Sequence, residues 1–136
     1  MNICGIELKS NNAIVSVIQT DDEKANFLNT KVKKIVLEDE ENKSSLLKFQ
    51  DEIDNYLEEN KVEKIALKKR AKKGTFAGAS VTFKTEGIIQ LNTVCDVTFV
   101  TSQAISKYTK NNDVDLPNEL NKYQEQAYLS SLLLVE

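Results

Sequence analysis

The sequence predicts an α/β fold in which one mixed, five-stranded sheet carries helices on both faces. Residues 1–38 are dominated by short segments rich in β-branched residues, whereas helical spacing of apolar residues alternates with such segments from residue 44 onward. The predicted order is therefore β-β-β-α-β-α-β-α-α, with the later strands parallel to the first through right-handed crossovers. A chain of 136 residues is one domain by length, so we expect a single domain over 1–136.

The first three predicted strands form an antiparallel meander. Residues 2–8 and 13–19 are apolar and rich in residues that favour β-strands. Ser-Asn-Asn at 10–12, between them, is typical of a turn. The segment TDDEKANFLNTK (20–31) is expected to be an acidic connection. It leads to the third predicted strand at 32–38.

Helices and strands then alternate. Ser44 or Ser45 is expected to cap a helix whose apolar stripe ends near Asn60. Thr101 or Ser102 is expected to cap a short helix, and Pro117 suits the first turn of the last helix because its missing N–H needs no partner there. The remaining segments are a strand at 62–68, a helix at 76–91, a strand at 95–101, the short helix at 102–108 and the last helix at 118–135.

Composition excludes several classes of function. A net charge of −3 argues against nucleic-acid binding through overall charge, so such binding requires a local basic patch. The absence of histidine excludes His-based triads. Cys4 and Cys95 both lie in apolar segments, and we expect buried, reduced thiols that do not supply the four ligands of a zinc site. We expect no signal peptide and no membrane span, hence a cytoplasmic protein.

The local basic patch is Lys68–Lys73, where five of six residues are cationic. It is predicted to leave the carboxyl end of a strand, where ligands of open α/β sheets bind, and Gly74 then begins a helix whose first N–H groups attract anions. The segment is therefore a candidate contact for phosphate or nucleic acid. The alternative is a solvated strand-to-helix loop.

Two resemblances add to this interpretation. The first predicted strand holds Gly5-Ile6-Glu7, similar to the G-I-D start of resolvase-like proteins, and the order of elements resembles the ribonuclease-H-like fold of RuvC-type Holliday-junction resolvases. More specifically, MNICGIELKSNNAIVSVI (1–18), KGTFAGASVTFKTEGIIQL (73–91) and KYQEQA (122–127) resemble a family of small bacterial proteins of unknown function. That family has no established activity, so the resemblance implies none for this chain.

The resemblance to the ribonuclease-H-like fold implies a two-metal nuclease site held by carboxylates. Glu7 matches the position on the first strand, and Glu125 is the candidate on the last helix, with Glu119 as the other choice. The fourth strand ends in Leu67-Lys68-Lys69-Arg70, with cations where the nucleases of this fold carry an acid. A lysine beside two carboxylates repels a metal ion. An ion pair between Glu7 and Lys68, serving only strand register, is the structural alternative to a ligand site.

Three functions follow from these residues. The first is nucleic-acid binding with a degenerate catalytic site. The second is a metal-dependent nuclease or phosphodiesterase that uses Glu7 and Glu125, and only this one needs a cofactor, Mg²⁺ or Mn²⁺. The third is a non-catalytic interaction module that forms a homodimer through its apolar last helix. The predicted nucleic-acid or phosphate contacts are Lys68, Lys69, Arg70, Lys72, Lys73 and Gly74.

Overall fold

The computed structural model describes residues 1–22, 24–70 and 80–135. Its elements are β1 (Asn2–Lys9), β2 (Asn12–Asp21), β3 (Lys24–Leu28), β4 (Lys34–Val36), α1 (Lys43–Glu59), β5 (Val62–Lys68), α2 (Ser80–Gln90), β6 (Val97–Val100), α3 (Ser102–Asn111), a 3₁₀ turn (Lys122–Gln124) and α4 (Glu125–Leu132). Within these ranges no helix is both long enough and apolar enough to cross a membrane.

One mixed sheet has the order β3-β2-β1-β5-β6, and β4 pairs with the other half of β2. The pairs β1–β2, β2–β3 and β2–β4 are antiparallel, whereas β1–β5 and β5–β6 are parallel. The parallel arrangement brings the ends of three strands, at Lys9, Lys68 and Val100, to the same side. We call this side the carboxyl edge.

The predicted number of five strands is wrong, because the described residues contain six. The segment predicted as an acidic connection holds β3, which begins two residues after Asp22 and pairs Lys24 with Asp21. Ala25 and Phe27 of β3 are only half-buried, and polar residues lie between and beside them. The alternation of apolar and polar residues that indicates a strand is therefore weak in this segment. The strand predicted at 32–38 is shorter, at Lys34–Val36, with Ile35 buried.

The helix after β4 ends where predicted but begins with a different cap. Asn42, not Ser44 or Ser45, precedes α1, and its Oδ1 accepts hydrogen bonds from the backbone N–H groups of Ser44 at 2.9 Å and Ser45 at 3.2 Å. Asn60 follows the last residue of α1, as predicted. Thr101 caps α3, as predicted, by accepting from the N–H of Ala104 at 3.0 Å. Of the helix predicted at 76–91, only α2 lies within the described residues.

The last helix is shorter than predicted and does not start at Pro117. Pro117 lies in a turn closed by a hydrogen bond from the N–H of Leu120 to its carbonyl. Regular structure begins only near Gln124, whose buried side chain accepts from the N–H of Asn121 and donates to the carbonyl of Val15 at 2.9 Å. A contact with β2, which is distant in sequence, therefore sets the start of this helix.

Helices cover both faces of the sheet, as predicted. On one face, α1 and α2 pack with Phe49, Ile53 and Ile89 against side chains of β1 and β5. On the other face, α3 and α4 pack against Ile3 and Ala66. The apolar end of the last helix is part of this second core, with Leu129 and Leu132 buried and residues 133–135 half-buried against it.

Candidate functional site at the carboxyl edge

Glu7 and Lys68 are neighbours on adjacent parallel strands. The register pairs Ile6 with Leu67, which places the next residue of each strand side by side on the face covered by α4. Lys68 Nζ donates a hydrogen bond to Glu7 Oε2 at 3.3 Å, and their side chains are only 20% and 10% exposed. The predicted ion pair is therefore present. It joins β5 to β1 and places two nearly buried charges at the carboxyl edge.

The next two residues extend the basic segment across the sheet. The N–H of Lys69 donates to the carbonyl of Val100 at 2.7 Å, which holds the chain against the end of β6. Arg70 then turns toward α2, where its guanidinium carbon lies 3.5 Å from the centre of the Phe83 ring. The remaining predicted contacts, Lys72, Lys73 and Gly74, lie outside the described residues.

Glu86 on α2 is a member of this site that the sequence analysis missed. Its Oε2 lies 3.4 Å from Arg70 Nε, and the two side chains are 15% and 19% exposed. Neither of these two atoms has a hydrogen-bond partner among the described residues. Glu86 and Phe83 are three residues apart in α2, so their side chains lie on one face of the helix. Only the structure shows that this face contacts Arg70.

Neither candidate acid of the last helix forms an ion pair with Lys68 or Arg70 among the described residues. Glu125 is the first residue of α4 and is half-buried, and within the described chain no ion pair links it to Lys68. Glu119 accepts a hydrogen bond from Asn29 Nδ2 at 3.0 Å, next to the end of β3. The helix itself lies directly on β1, where the backbone of Ala127 contacts Gly5.

The residues at the carboxyl edge do not fit a two-metal centre. No cluster of three Cys, Asp or Glu side chains that could hold a metal ion occurs within residues 1–22, 24–70 and 80–135. The one acid on the first strand, Glu7, already accepts from the ammonium of Lys68. A metal ion at the same oxygen would be repelled by that ammonium, and Mg²⁺ demands near-ideal octahedral oxygen ligation.

The two cysteines are free thiols, as predicted. Cys4 is fully buried, and burial raises the pKa of its thiol far above the ordinary value of 9.0. Cys95 is only half-buried, which corrects the predicted full burial, and partial burial raises the pKa of its thiol to about 11. Because nucleophilic attack and metal binding both need the thiolate, neither thiol is activated for such chemistry at neutral pH.

A shallow groove follows the outer face of α3. Because α3 begins directly after β6, the groove starts at the carboxyl edge. It contains two lysines and no acidic side chain; its lining residues are Ser102, Gln103, Ser106, Lys107, Lys110 and Asn111.

Comparison with solved structures shows the fold. The structure of RuvC from Thermus thermophilus matches with a TM-score of 0.73 at 12% identity, over 97% of this chain and 92% of that chain. T. thermophilus RuvC in complex with a Holliday-junction substrate matches with a TM-score of 0.69 at 12% identity, over 97% and 91%. The yeast mitochondrial Holliday-junction resolvase Ydc2 matches with a TM-score of 0.56 at 12% identity, over 98% and 75%. The predicted ribonuclease-H-like fold is thereby confirmed.

Sequence comparison gives a family without an assigned activity. The family model described as "Protein of unknown function (DUF3010)" matches residues 1–133. The search of curated proteins found no significant match.

Proposed function

Since the chain belongs to this family of unknown function and has the fold of RuvC-type resolvases, we propose that it is a non-catalytic nucleic-acid-binding protein. Its binding surface is the carboxyl edge, with Lys68, Lys69 and Arg70 at the end of β5. Lys72, Lys73 and Gly74 follow directly in the sequence, outside the described residues, and stay predicted phosphate contacts. The positively charged groove of α3 extends it beyond β6.

The observation that carries this proposal is the position of the basic segment at the carboxyl edge. Ligands of open α/β sheets bind in the crevice outside the carboxyl ends of the strands. Three consecutive cations lie there, two of them beside the acids Glu7 and Glu86, and Lys72 and Lys73 follow in the sequence of a chain whose net charge is −3. Lys and Arg bind phosphate groups through charge-assisted hydrogen bonds, so a phosphodiester backbone is the ligand that this local concentration of charge favours.

The absence of catalysis is proposed from the Glu7–Lys68 pair. A phosphodiesterase of this fold would need Glu7 to hold a metal ion, yet its carboxylate accepts from Lys68 at 3.3 Å. The surface is then left with the ability to bind phosphates but without a means to activate water. We expect no cleavage of bound DNA when Mg²⁺ or Mn²⁺ is added. Metal-dependent cleavage that a Glu7→Gln variant loses would support the nuclease alternative instead.

The test is a salt titration of the purified protein against labelled duplex, single-stranded and four-way-junction DNA, measured by fluorescence anisotropy. The junction is included because one matching structure is T. thermophilus RuvC with a Holliday-junction substrate. We expect micromolar or tighter binding of at least one of these DNAs, with a log–log salt slope near −4 for duplex, about what four to five phosphate contacts give. Failure to bind any of the three at low salt would overturn the proposal.

A pair of double variants locates the surface. Lys72→Glu/Lys73→Glu reverses two charges in the basic segment and should abolish binding with almost no change in melting temperature. Lys24→Glu/Lys61→Glu reverses two exposed charges at the opposite edge of the sheet, next to the starts of β3 and β5. This control has the same net charge, so equal loss of binding in both proteins would exclude a local surface.

Homodimerisation through the last helix and a cytoplasmic location stay predictions. Residues 129–135 are buried or half-buried against their own core, so a dimer would use the remaining surface of α4. Sedimentation velocity at increasing protein concentration distinguishes a monomer from a dimer.

A further inference from the structure

The two acid–base pairs at the carboxyl edge differ in kind. Lys68 and Glu7 form a hydrogen bond, which fixes the ammonium to β1. Arg70 Nε and Glu86 Oε2 lie 3.4 Å apart without a hydrogen bond, and neither atom finds another partner among the described residues. Because it has no hydrogen bond, the second pair attracts through charge alone.

We infer that Glu86 is a specificity-determining residue of this surface. Its carboxylate pairs with Arg70 until a phosphate group of the ligand takes its place. The inference rests on the proposed function, since it concerns the same surface. Arg70 Nε and Glu86 Oε2 are both buried, so a phosphate reaches Nε–H only as the Glu86 side chain moves aside. The exchange is favourable because the phosphate then supplies the hydrogen bond to Nε–H that Glu86 does not form. Arg70 is thereby the cation whose acidic partner the phosphate replaces, whereas Lys68 contributes its charge to the surface while it stays bound to Glu7.

Phe83 keeps the guanidinium in place during this exchange. The Arg70 guanidinium lies 3.5 Å from the centre of the Phe83 ring, and this contact does not involve Glu86. A cation over an aromatic face is attracted by the ring's quadrupole, and Arg is the residue that also stacks on it. When the carboxylate is replaced, the guanidinium therefore stays at the end of β5 and continues to present Nε–H.

Glu86 selects between ligands by its charge. A monatomic anion cannot form the paired, parallel hydrogen bonds with Arg that a phosphate forms, and it meets the repulsion of the nearby carboxylate. A phosphodiester backbone engages several cations at once, so it compensates for that repulsion through its other contacts. Weakly bound anions are thus excluded, and extended phosphate chains are accepted.

Three substitutions that each remove one charge test the exchange. Glu86→Gln removes the competing charge and should tighten duplex binding by roughly three- to tenfold, the effect of removing one partly screened like charge beside a phosphate. Glu63→Gln removes one negative charge from the exposed start of β5 at the opposite edge, and should leave the affinity unchanged. In the background of Arg70→Gln, Glu86→Gln should lose most of its effect, because the two residues act as a unit.

A second measurement observes Arg70 directly in the unmodified protein. Arg70 is the only arginine in the sequence, so its side-chain Nε–H gives a single resonance in the arginine region of a ¹⁵N-correlated NMR spectrum. Both duplex DNA and inorganic phosphate should shift this resonance. Phosphate should shift it at lower concentration in the Glu86→Gln variant than in the Glu63→Gln variant.

The outcomes separate the two proposals. If duplex binds neither protein but phosphate shifts the Arg70 resonance more readily after Glu86→Gln, the nucleic-acid function is overturned and the exchange is supported. If duplex binds and Glu86→Gln behaves like Glu63→Gln, the exchange is overturned and the function stands. A resonance that neither ligand moves in any of the proteins also overturns the exchange.

Discussion

At the scale of the residue, Gly5 decides how closely α4 approaches the sheet. A Cβ built at Gly5 would lie 1.7 Å from the carbonyl oxygen of Ala127 and 2.7 Å from its carbonyl carbon. These are backbone atoms, so they cannot move aside without shifting the helix. The same close contact buries Ala127, Ser130 and Ser131 completely. The glycine is therefore required for packing, one strand position before Ile6 and two before Glu7.

Gly5→Ala should destabilise the protein by about 3 kcal/mol or more, the upper end for overpacking a well-packed core. Gly87→Ala in the interior of α2 is the matched control. Apart from the two chain neighbours and the backbone of the same helix, no atom of the described residues lies within 4 Å of a Cβ at Gly87. That substitution should stabilise the protein by about 0.5–1 kcal/mol through helix propensity. Urea unfolding of both variants measures the difference. Equal stability of the two variants would show that α4 does not rest on Gly5.

At the scale of the element, α1 depends on a cap that lies outside the predicted helix. Asn42 Oδ1 accepts from two backbone N–H groups of the first turn, and from the Ser44 hydroxyl. Ser45 has another role, since its hydroxyl accepts from the N–H of Asp39 and ties the preceding turn to the helix. Asn42, Ser44 and Ser45 can all act as caps, and only the extended backbone at Asn42 selects one of them.

Asn42→Ala should cost about 1 kcal/mol of stability, because two N–H groups at the start of α1 lose their acceptor. Ser44→Ala, at one of the two positions that the sequence analysis offered, should cost clearly less because its backbone N–H keeps its bond to Asn42. Thermal unfolding of the two variants ranks them. A larger loss for Ser44→Ala would assign the cap to the serine.

At the scale of the whole molecule, stability depends on two buried acids that stay protonated in the fold. Burial raises the pKa of the Cys4 thiol and of the Tyr56 hydroxyl, whose ordinary values are 9.0 and 10.0. Below pH 9 both groups are neutral whether the chain is folded or unfolded, so they do not change stability. Above pH 9 the unfolded chain releases the thiol proton and the folded chain keeps it, which favours unfolding.

The free energy of unfolding should therefore fall above pH 9, by about 1.4 kcal/mol per pH unit from Cys4 alone. Urea unfolding between pH 7 and pH 10 measures this slope. Cys4→Ala removes the titrating group, so the difference in stability between the wild type and this variant should shrink above pH 9. A difference independent of pH would mean that Cys4 titrates in the fold as it does in the unfolded chain.

The sequence by itself determined the elements whose signal is local. The apolar stripe of α1 and the end of that helix at Asn60 could be read from spacing alone, and so could the strand that ends at Lys68. The order of strands and crossovers was enough to place Lys68 beside Glu7, because parallel strands carry their carboxyl ends to the same edge. The ribonuclease-H-like outline and the basic segment at the site also followed from the sequence.

Only the tertiary structure decided the features that depend on a distant partner. β3 is a half-buried edge strand whose pattern is too weak to recognise without its pairing to β2. The start of the last helix depends on the bond from Gln124 to Val15, and the role of Glu86 depends on Arg70, sixteen residues earlier in the sequence. Periodicity shows which face of an element is buried, but not what it meets there. The order of the strands in the sheet decides which residues lie opposite that face, and therefore which side chains form the site.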